Sequence, residues 1–227
     1  MNIIPRSGWN AAPARSRYQI ATPTRDLWLH HTASASIDVG IKGQWWDDVR
    51  GIQAFHQGPQ RGWSDIAYSF LIGGGQAFEG RGAGITGGHT KGHNTTSHAI
   101  CLVGDYSWME PKAEDLEAIA QLVAHGINHG WWRGLTGAHR DASGQNTTCC
   151  GDLLAREIPN IRKRVDEILN PQEEDMTAAI IAAYITGGRT PDRIDFPEVC
   201  AWVAAVEAGD DLNKVTAYIT WHVSENG

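Results

Sequence analysis

The chain has 227 residues, 41% of them hydrophobic and 20% charged, which is typical of a folded, water-soluble protein. Its formal net charge is −7, and the acidic excess lies in residues 172–227, which carry 3 Lys and Arg against 10 Asp and Glu, whereas residues 1–171 carry 16 of each kind. The composition argues against a nucleic-acid partner, which needs clustered basic residues, and against membrane insertion, because no apolar run approaches the roughly 18 residues of a span.

The cysteines and the N-terminus bear on where the protein is made. The four cysteines are Cys101, Cys149, Cys150 and Cys200. They do not form the framework of a disulfide-stabilised protein, and they fit synthesis in a reducing compartment. The N-terminal stretch has no long apolar region of the kind that a secretory signal needs. We therefore expect synthesis in the cytoplasm.

Short apolar strands and amphipathic helices alternate along most of the chain. Prolines at positions 5, 13 and 23 mark residues 1–25 as an irregular lead-in. The apolar runs predict strands at residues 27–29 (ending at His30 and His31), 66–72, 76–81, 98–103 and 134–139. Apolar residues three or four apart predict helices at residues 45–56, 111–130 and 152–169. This alternation predicts an α/β domain with a central mixed β-sheet flanked by helices.

A polar stretch with a proline, residues 170–175, separates this α/β domain from the rest of the chain. We place the boundary there, which gives domains at residues 1–170 and 171–227. Helical periodicity recurs at residues 176–186, 197–208 and 212–223, with glycines between these segments. The second domain is therefore predicted to be small, acidic and all-helical.

Histidines and cysteines at the ends of predicted strands suggest a metal site. His30 and His31 end the first strand, His139 ends another, and Cys149 follows ten residues later. Zinc in hydrolytic sites takes three ligands of these types and keeps one position open for water. Side chains alternate along a strand, so only one of His30 and His31 should be a ligand. From spacing alone, ordinary polar residues near strand ends with inert thiols explain the pattern about as well.

Seven motifs in a fixed order add a resemblance to a known family. The chain resembles the zinc-dependent N-acetylmuramoyl-L-alanine amidases that share a fold with peptidoglycan recognition proteins and phage lytic amidases. The resemblance covers most of residues 5–160 and rests on RSGW at 6–9, LHHTA at 29–33, GWSDIAYSFLIG at 62–73, EGRG at 79–82, GHTKGHN at 88–94, GAHRD at 137–141 and TTCCGD at 147–152.

This resemblance implies one zinc ion bound by His30, His139 and Cys149. The family usually has proline after the ligand cysteine, whereas this chain has Cys150. Cys149 fits better because Thr147 then falls two residues before it, as in the family; Cys150 as ligand is the alternative.

The resemblance also implies roles around the zinc ion. A zinc-activated water attacks the amide between N-acetylmuramic acid and L-alanine. Tyr68 and Thr147 are then expected to stabilise the oxyanion, although some relatives have lysine at the Thr147 position. The residues implied to bind the glycan and the stem peptide are His31, His56, His89 and Asn94.

The expected function is that of a phage or prophage endolysin, made in the host cytoplasm and acting on bacterial peptidoglycan after release. One alternative is a non-catalytic peptidoglycan-recognition module, although such relatives typically lack a zinc ligand. The other is a bacterial amidase for wall recycling. By analogy with two-part lytic amidases, residues 171–227 are expected to bind the cell wall rather than to serve in oligomerisation.

Overall fold

A computed structural model describes residues 1–34 and 45–170. In this part the strands are β1 (Ile3–Ile4), β2 (Asp26–His31), β3 (Phe70–Gly73), β4 (Gln76–Glu79), β5 (Ser97–Leu102) and β6 (Gly137–Ala138). The α-helices are α1 (Trp45–Gln57), α2 (Ala113–Asn128), α3 (Asp152–Ala155) and α4 (Ile158–Leu169), with 3₁₀ turns at Arg6–Trp9 and His139–Asp141. The predicted C-terminal helical domain, residues 171–227, lies outside the described residues, so it and its boundary stay predictions.

The six strands of the described part form one mixed sheet in the order β1-β4-β3-β5-β2-β6. The β3–β4 hairpin is antiparallel and the other neighbouring pairs are parallel. The predicted α/β fold with a central mixed sheet is therefore confirmed. Every residue of β2 and β5 is buried, which explains the apolar runs within them at residues 27–29 and 99–102.

The parallel pairing of β2 with β6 brings two distant segments to one edge of the sheet. Trp28 pairs with Gly137 and Leu29 with Ala138. The residue after Leu29 is His30, and the residue after Ala138 is His139. Parallel strands present their carboxyl ends at the same edge of the sheet. His30 and His139 therefore emerge side by side, although they are more than a hundred residues apart in the chain.

Three predicted elements differ from those observed. The predicted strand at residues 66–72 begins only at Phe70, because side chains take earlier backbone N–H groups: that of Ile66 donates to Asp65 and that of Ala67 to His56. The predicted strand at 134–139 is reduced to the two residues of β6. The predicted helix at 152–169 is broken between α3 and α4, because Pro159 has no N–H and suits only the first turn of a helix.

A buried carboxylate anchors the segment that leads into β3. Asp65 is 1% exposed, and its carboxylate accepts hydrogen bonds from Gln53 of α1 (2.6 Å) and from the backbone of Ile66 (2.8 Å). Arg6 forms an ion pair with it at 3.0 Å. This network ties the N-terminal 3₁₀ turn and α1 to the segment that carries Trp63 and Tyr68. Among the described residues, no helix has the length and apolarity that crossing a bilayer requires.

Candidate metal centre and groove

Three side chains from three parts of the fold converge at the carboxyl edge of the sheet. Among the described residues, His30, His139 and Cys149 form one potential metal-binding cluster, with their ligand atoms all within 4.8 Å of one another. The two imidazole centroids are 4.4 Å apart, and Cys149 Sγ lies 3.6 Å from His30 Nδ1. The Arg140 N–H donates to the Cys149 carbonyl at 2.9 Å, which joins the turn at His139 to the cysteine loop.

The electrostatics of the cluster suit a cation. Burial, followed by the proximity of His89 and His139, holds the pKa of His30 well below its ordinary value. Burial also lowers the pKa of His139 and raises that of Cys149 to about 11. At neutral pH both rings are therefore neutral with a lone pair available, and a bound cation would favour the thiolate. Two neutral imidazoles and a thiolate are a donor set that zinc prefers, so these residues fit the ion that the sequence predicts.

Two further polar residues hold the ligand rings from behind. The second nitrogen of His30, Nε2, lies 3.3 Å from the Thr90 hydroxyl. The corresponding Nε2 of His139 lies 3.1 Å from Gln145 Oε1, and Gln145 Nε2 donates to the Lys91 carbonyl at 2.9 Å. Such contacts fix the orientation and tautomer of metal-binding histidines. No role was predicted from the sequence for Thr90 or Gln145, although Thr90 follows His89 and Gln145 lies between His139 and Cys149, because neither residue type is a usual zinc ligand.

Of the adjacent residues His30 and His31, and likewise of Cys149 and Cys150, only the first belongs to the cluster. His31 lies on the face of β2 opposite to His30, where its Nδ1 accepts the Tyr106 N–H at 3.1 Å and lies 3.7 Å from Asp105. The inference from strand alternation, that only one of the two histidines reaches the cluster, agrees with this placement. Cys150 is fully buried and is not in the cluster, whereas Cys149 is. The geometry thus favours Cys149 as the ligand.

A groove of about 590 Å³ opens in front of the cluster. Its wall is aromatic: Trp63 stacks on His56 with centroids 4.9 Å apart, and the Arg61 guanidinium lies 5.4 Å from the centre of the Trp63 ring. Tyr68 lines the groove with its ring 5.4 Å from that of His30. Burial raises the pKa of Tyr68 well above its ordinary value, so the phenol keeps its proton and can donate a hydrogen bond.

The other residues predicted to act on substrate occupy different places. His56 and His89 line the groove, and Asn94 lines an adjoining hollow of about 480 Å³. Asn94 also accepts hydrogen bonds from the backbone N–H groups of His89 and Thr90, both at 2.9 Å. The structure does not bring His31 to the groove lining. Thr147 is also absent from that lining, and its hydroxyl accepts the Cys149 N–H at 3.2 Å.

Comparison with known proteins shows the family of the chain. A family model described as N-acetylmuramoyl-L-alanine amidase matches residues 21–152. Peptidoglycan recognition protein 1 of Rattus norvegicus is 35% identical over 156 residues, which are 67% of this chain and 82% of that protein. An N-acetylmuramoyl-L-alanine amidase of Sus scrofa is 36% identical over 128 residues, which are 54% of this chain and 21% of that longer protein.

Two solved structures share the fold of the described domain. Wild-type Drosophila PGRP-LB is similar with a TM-score of 0.64 at 32% identity, covering 69% of this chain and 92% of that chain. A mutant of the same Drosophila protein in complex with tracheal cytotoxin gives a TM-score of 0.63 at 31% identity, with the same coverage of both chains.

Proposed function

The chain belongs to the N-acetylmuramoyl-L-alanine amidase family, and we propose that it hydrolyses the amide between N-acetylmuramic acid and L-alanine in bacterial peptidoglycan. The observation that carries this proposal is the complete ligand set, His30, His139 and Cys149, at the base of an open groove. The partner is bacterial peptidoglycan. Support for it comes from the recognition-protein relatives and from the complex of Drosophila PGRP-LB with tracheal cytotoxin.

The chain's own residues supply binding and hydrogen bonds for this reaction. A zinc ion, when bound, supplies a Lewis acid and makes hydroxide available near neutral pH. His30, His139 and Cys149 would hold it, the two histidines through neutral rings. The protonated phenol of Tyr68 donates a hydrogen bond to the carbonyl oxygen as negative charge develops there. Thr147 orders the ligand loop through its contact with the Cys149 N–H.

A non-catalytic recognition module is the second candidate, because relatives such as the Rattus norvegicus protein are named for recognition rather than hydrolysis. The three converging ligands favour catalysis, since recognition alone does not need them. We further propose an endolysin role, with synthesis in the host cytoplasm and action on the wall after release. The acidic stretch at residues 171–227 supports this role, since it adds a second predicted domain of the kind found in two-part lytic enzymes.

Digestion of purified peptidoglycan tests the amidase. The zinc-loaded protein should release stem peptides that begin with L-alanine, identified by mass spectrometry, and a chelator should stop the release. Cys149→Ala should be inactive. Cys150→Ala, which alters a buried neighbour outside the cluster, should retain activity and is the matched control. Products cut between sugars or within the peptide would contradict the amidase, and binding without any product would support the recognition module.

A further inference from the structure

The Thr90 hydroxyl lies between two histidines of the site. Thr90 is completely buried, and its Oγ1 is 3.3 Å from Nε2 of His30 and 3.0 Å from Nδ1 of His89. Within the described part of the chain, these two ring nitrogens are the partners of the hydroxyl. The backbone of Thr90 is fixed as well, because its N–H donates to Asn94 Oδ1 at 2.9 Å. A hydroxyl held in this way has one proton to give and lone pairs to receive.

The hydrogen-bonding capacity of His30, Thr90 and His89 determines which ring nitrogen of each histidine carries the proton. Nδ1 of His30 faces the thiol of Cys149 at 3.6 Å, so it is the nitrogen that would hold the metal ion and must carry a lone pair. Its Nε2 therefore bears the proton and donates to Thr90. The Thr90 O–H is then left to donate to Nδ1 of His89, which must accept. A neutral ring has one N–H, so that of His89 is on Nε2.

The Nε2 of His89 is a buried nitrogen without a hydrogen bond of normal geometry among the described residues, although the Ser97 backbone lies close enough to the ring to raise its pKa against the larger effect of burial. The ring that carries it lines both the groove and the adjoining hollow, next to His139. The Gly87 backbone packs closely against this ring, since a Cβ there would lie 2.2 Å from Cδ2 and 2.4 Å from Nε2 of His89. An unpaired buried donor is costly, which points to a ligand acceptor that completes it.

We propose that Thr90 is a positioning residue that sets the protons of both histidines. It keeps the lone pair of His30 directed at the metal ion and makes His89 a hydrogen-bond donor to an oxygen of the bound muramyl peptide. The substrate part of this proposal rests on the proposed amidase function. The proton order rests instead on metal binding through Nδ1 of His30 and on the contacts among His30, Thr90 and His89, and not on which bond the protein cleaves.

Long-range ¹H–¹⁵N NMR of ¹⁵N-histidine protein tests the proton order directly. In the zinc-loaded wild type, His30 and His89 should both appear with the proton on Nε2. In Thr90→Val, which keeps the shape and removes the hydroxyl, His89 should lose this single tautomer. Thr90→Ser, which keeps the hydroxyl, should resemble the wild type. A wild-type His89 with its proton on Nδ1 would overturn the proposal, whether or not Thr90→Val folds.

Two binding measurements complete the test. Zinc affinity, measured by chelator competition, should fall about tenfold in Thr90→Val, as for other residues that orient metal ligands, and by less than twofold in Thr90→Ser. Zinc-loaded Thr90→Val should also bind a non-hydrolysable muramyl peptide about fivefold more weakly than the zinc-loaded wild type, the effect of one hydrogen bond. Unchanged zinc and peptide affinities in a folded Thr90→Val protein would refute the role of Thr90.

The outcomes separate this inference from the proposed function. If the wild type releases no stem peptides while His89 shows the Nε2 proton and Thr90→Val loses zinc affinity, the amidase proposal fails and the proton order stands. If peptides are released but the variants match the wild type in NMR and in zinc and peptide affinity, the amidase proposal stands and the role of Thr90 is refuted.

Discussion

Two glycines inside helices should respond in opposite directions to the same substitution. Gly126 lies in α2 and Gly51 in α1. Alanine in place of an internal helical glycine usually stabilises a protein by about 0.5–1 kcal/mol, because glycine loses more backbone entropy on folding. A Cβ at Gly51 would meet nothing within 4 Å, so Gly51→Ala should show this gain. A Cβ at Gly126 would lie 2.1 Å from Cε2 and from Cζ2 of Trp132.

The Trp132 ring cannot easily move away. It is 1% exposed, its Nε1 donates to the Val123 carbonyl at 2.9 Å, and it packs edge-on against Phe70 and His98, with ring centroids 5.8 Å and 5.6 Å away respectively. Overpacking of this kind costs about 1–3 kcal/mol, and losing the indole hydrogen bond costs about 1 kcal/mol more. After the helix-propensity gain is subtracted, we expect Gly126→Ala to destabilise the protein by about 2 kcal/mol.

Urea unfolding followed by circular dichroism measures both effects, with Gly51→Ala as the matched control. The midpoints should move in opposite directions while the slopes stay equal. The double variant Gly126→Ala with Trp132→Phe should be more stable than the sum of the single effects predicts, because the smaller ring leaves room for the methyl group. A Gly126→Ala protein as stable as Gly51→Ala would refute the packing argument at Trp132.

Two further predictions concern the cysteine pair and pH. Metal-free Cys149→Ser should bind zinc at least a hundredfold more weakly than the wild type by chelator competition, whereas Cys150→Ser should stay within about threefold, because only Cys149 faces His30; equal losses in both variants would contradict this. Burial lowers the folded-state pKa of His56 and of His98 to about 4 each. Between about pH 6.5 and 4 the unfolded chain therefore binds more protons than the folded protein, and the free energy of unfolding decreases as the pH is lowered. At pH 5 the metal-free protein should lose about 2 kcal/mol per histidine relative to pH 8, and His56→Gln should reduce the loss; an unfolding free energy that is flat over this range would count against it.

The sequence predicted the fold well where one local pattern decides the structure. Strand β2 is such a case, because its apolar run and the alternation of side chains placed His30 and His31 on opposite faces. The segment at residues 66–69 shows the limit of this reasoning. It has the composition of a strand, but side chains of Asp65 and His56 take two of its N–H groups, and a hydrogen-bonding partner cannot be read from composition.

The same limit applies to the site. The metal ligands were predicted because their types and order along the chain carry a strong resemblance. Thr90 and Gln145 were not, because each acts through a contact that exists only after folding. The Thr90 contact with His30 joins residues 60 positions apart, and Gln145 binds the Lys91 carbonyl, 54 positions away. Neither threonine nor glutamine is a typical metal ligand, so the sequence assigned no role to either, although Thr90 lies within the GHTKGHN motif.

His31 shows how one strand can support the site from both of its faces. Its Nδ1 accepts the Tyr106 N–H, which holds Tyr106 behind the sheet edge. The Tyr106 carbonyl accepts the Leu153 N–H at 3.1 Å, and a Cβ on Gly151 would lie 2.3 Å from the Tyr106 carbonyl carbon. The backbone after Cys149 is therefore packed directly against Tyr106. Adjacent histidines at the end of β2 thus serve one cluster in two ways: His30 contributes its side chain to the cluster, and His31 fixes the backbone against which the cysteine loop rests.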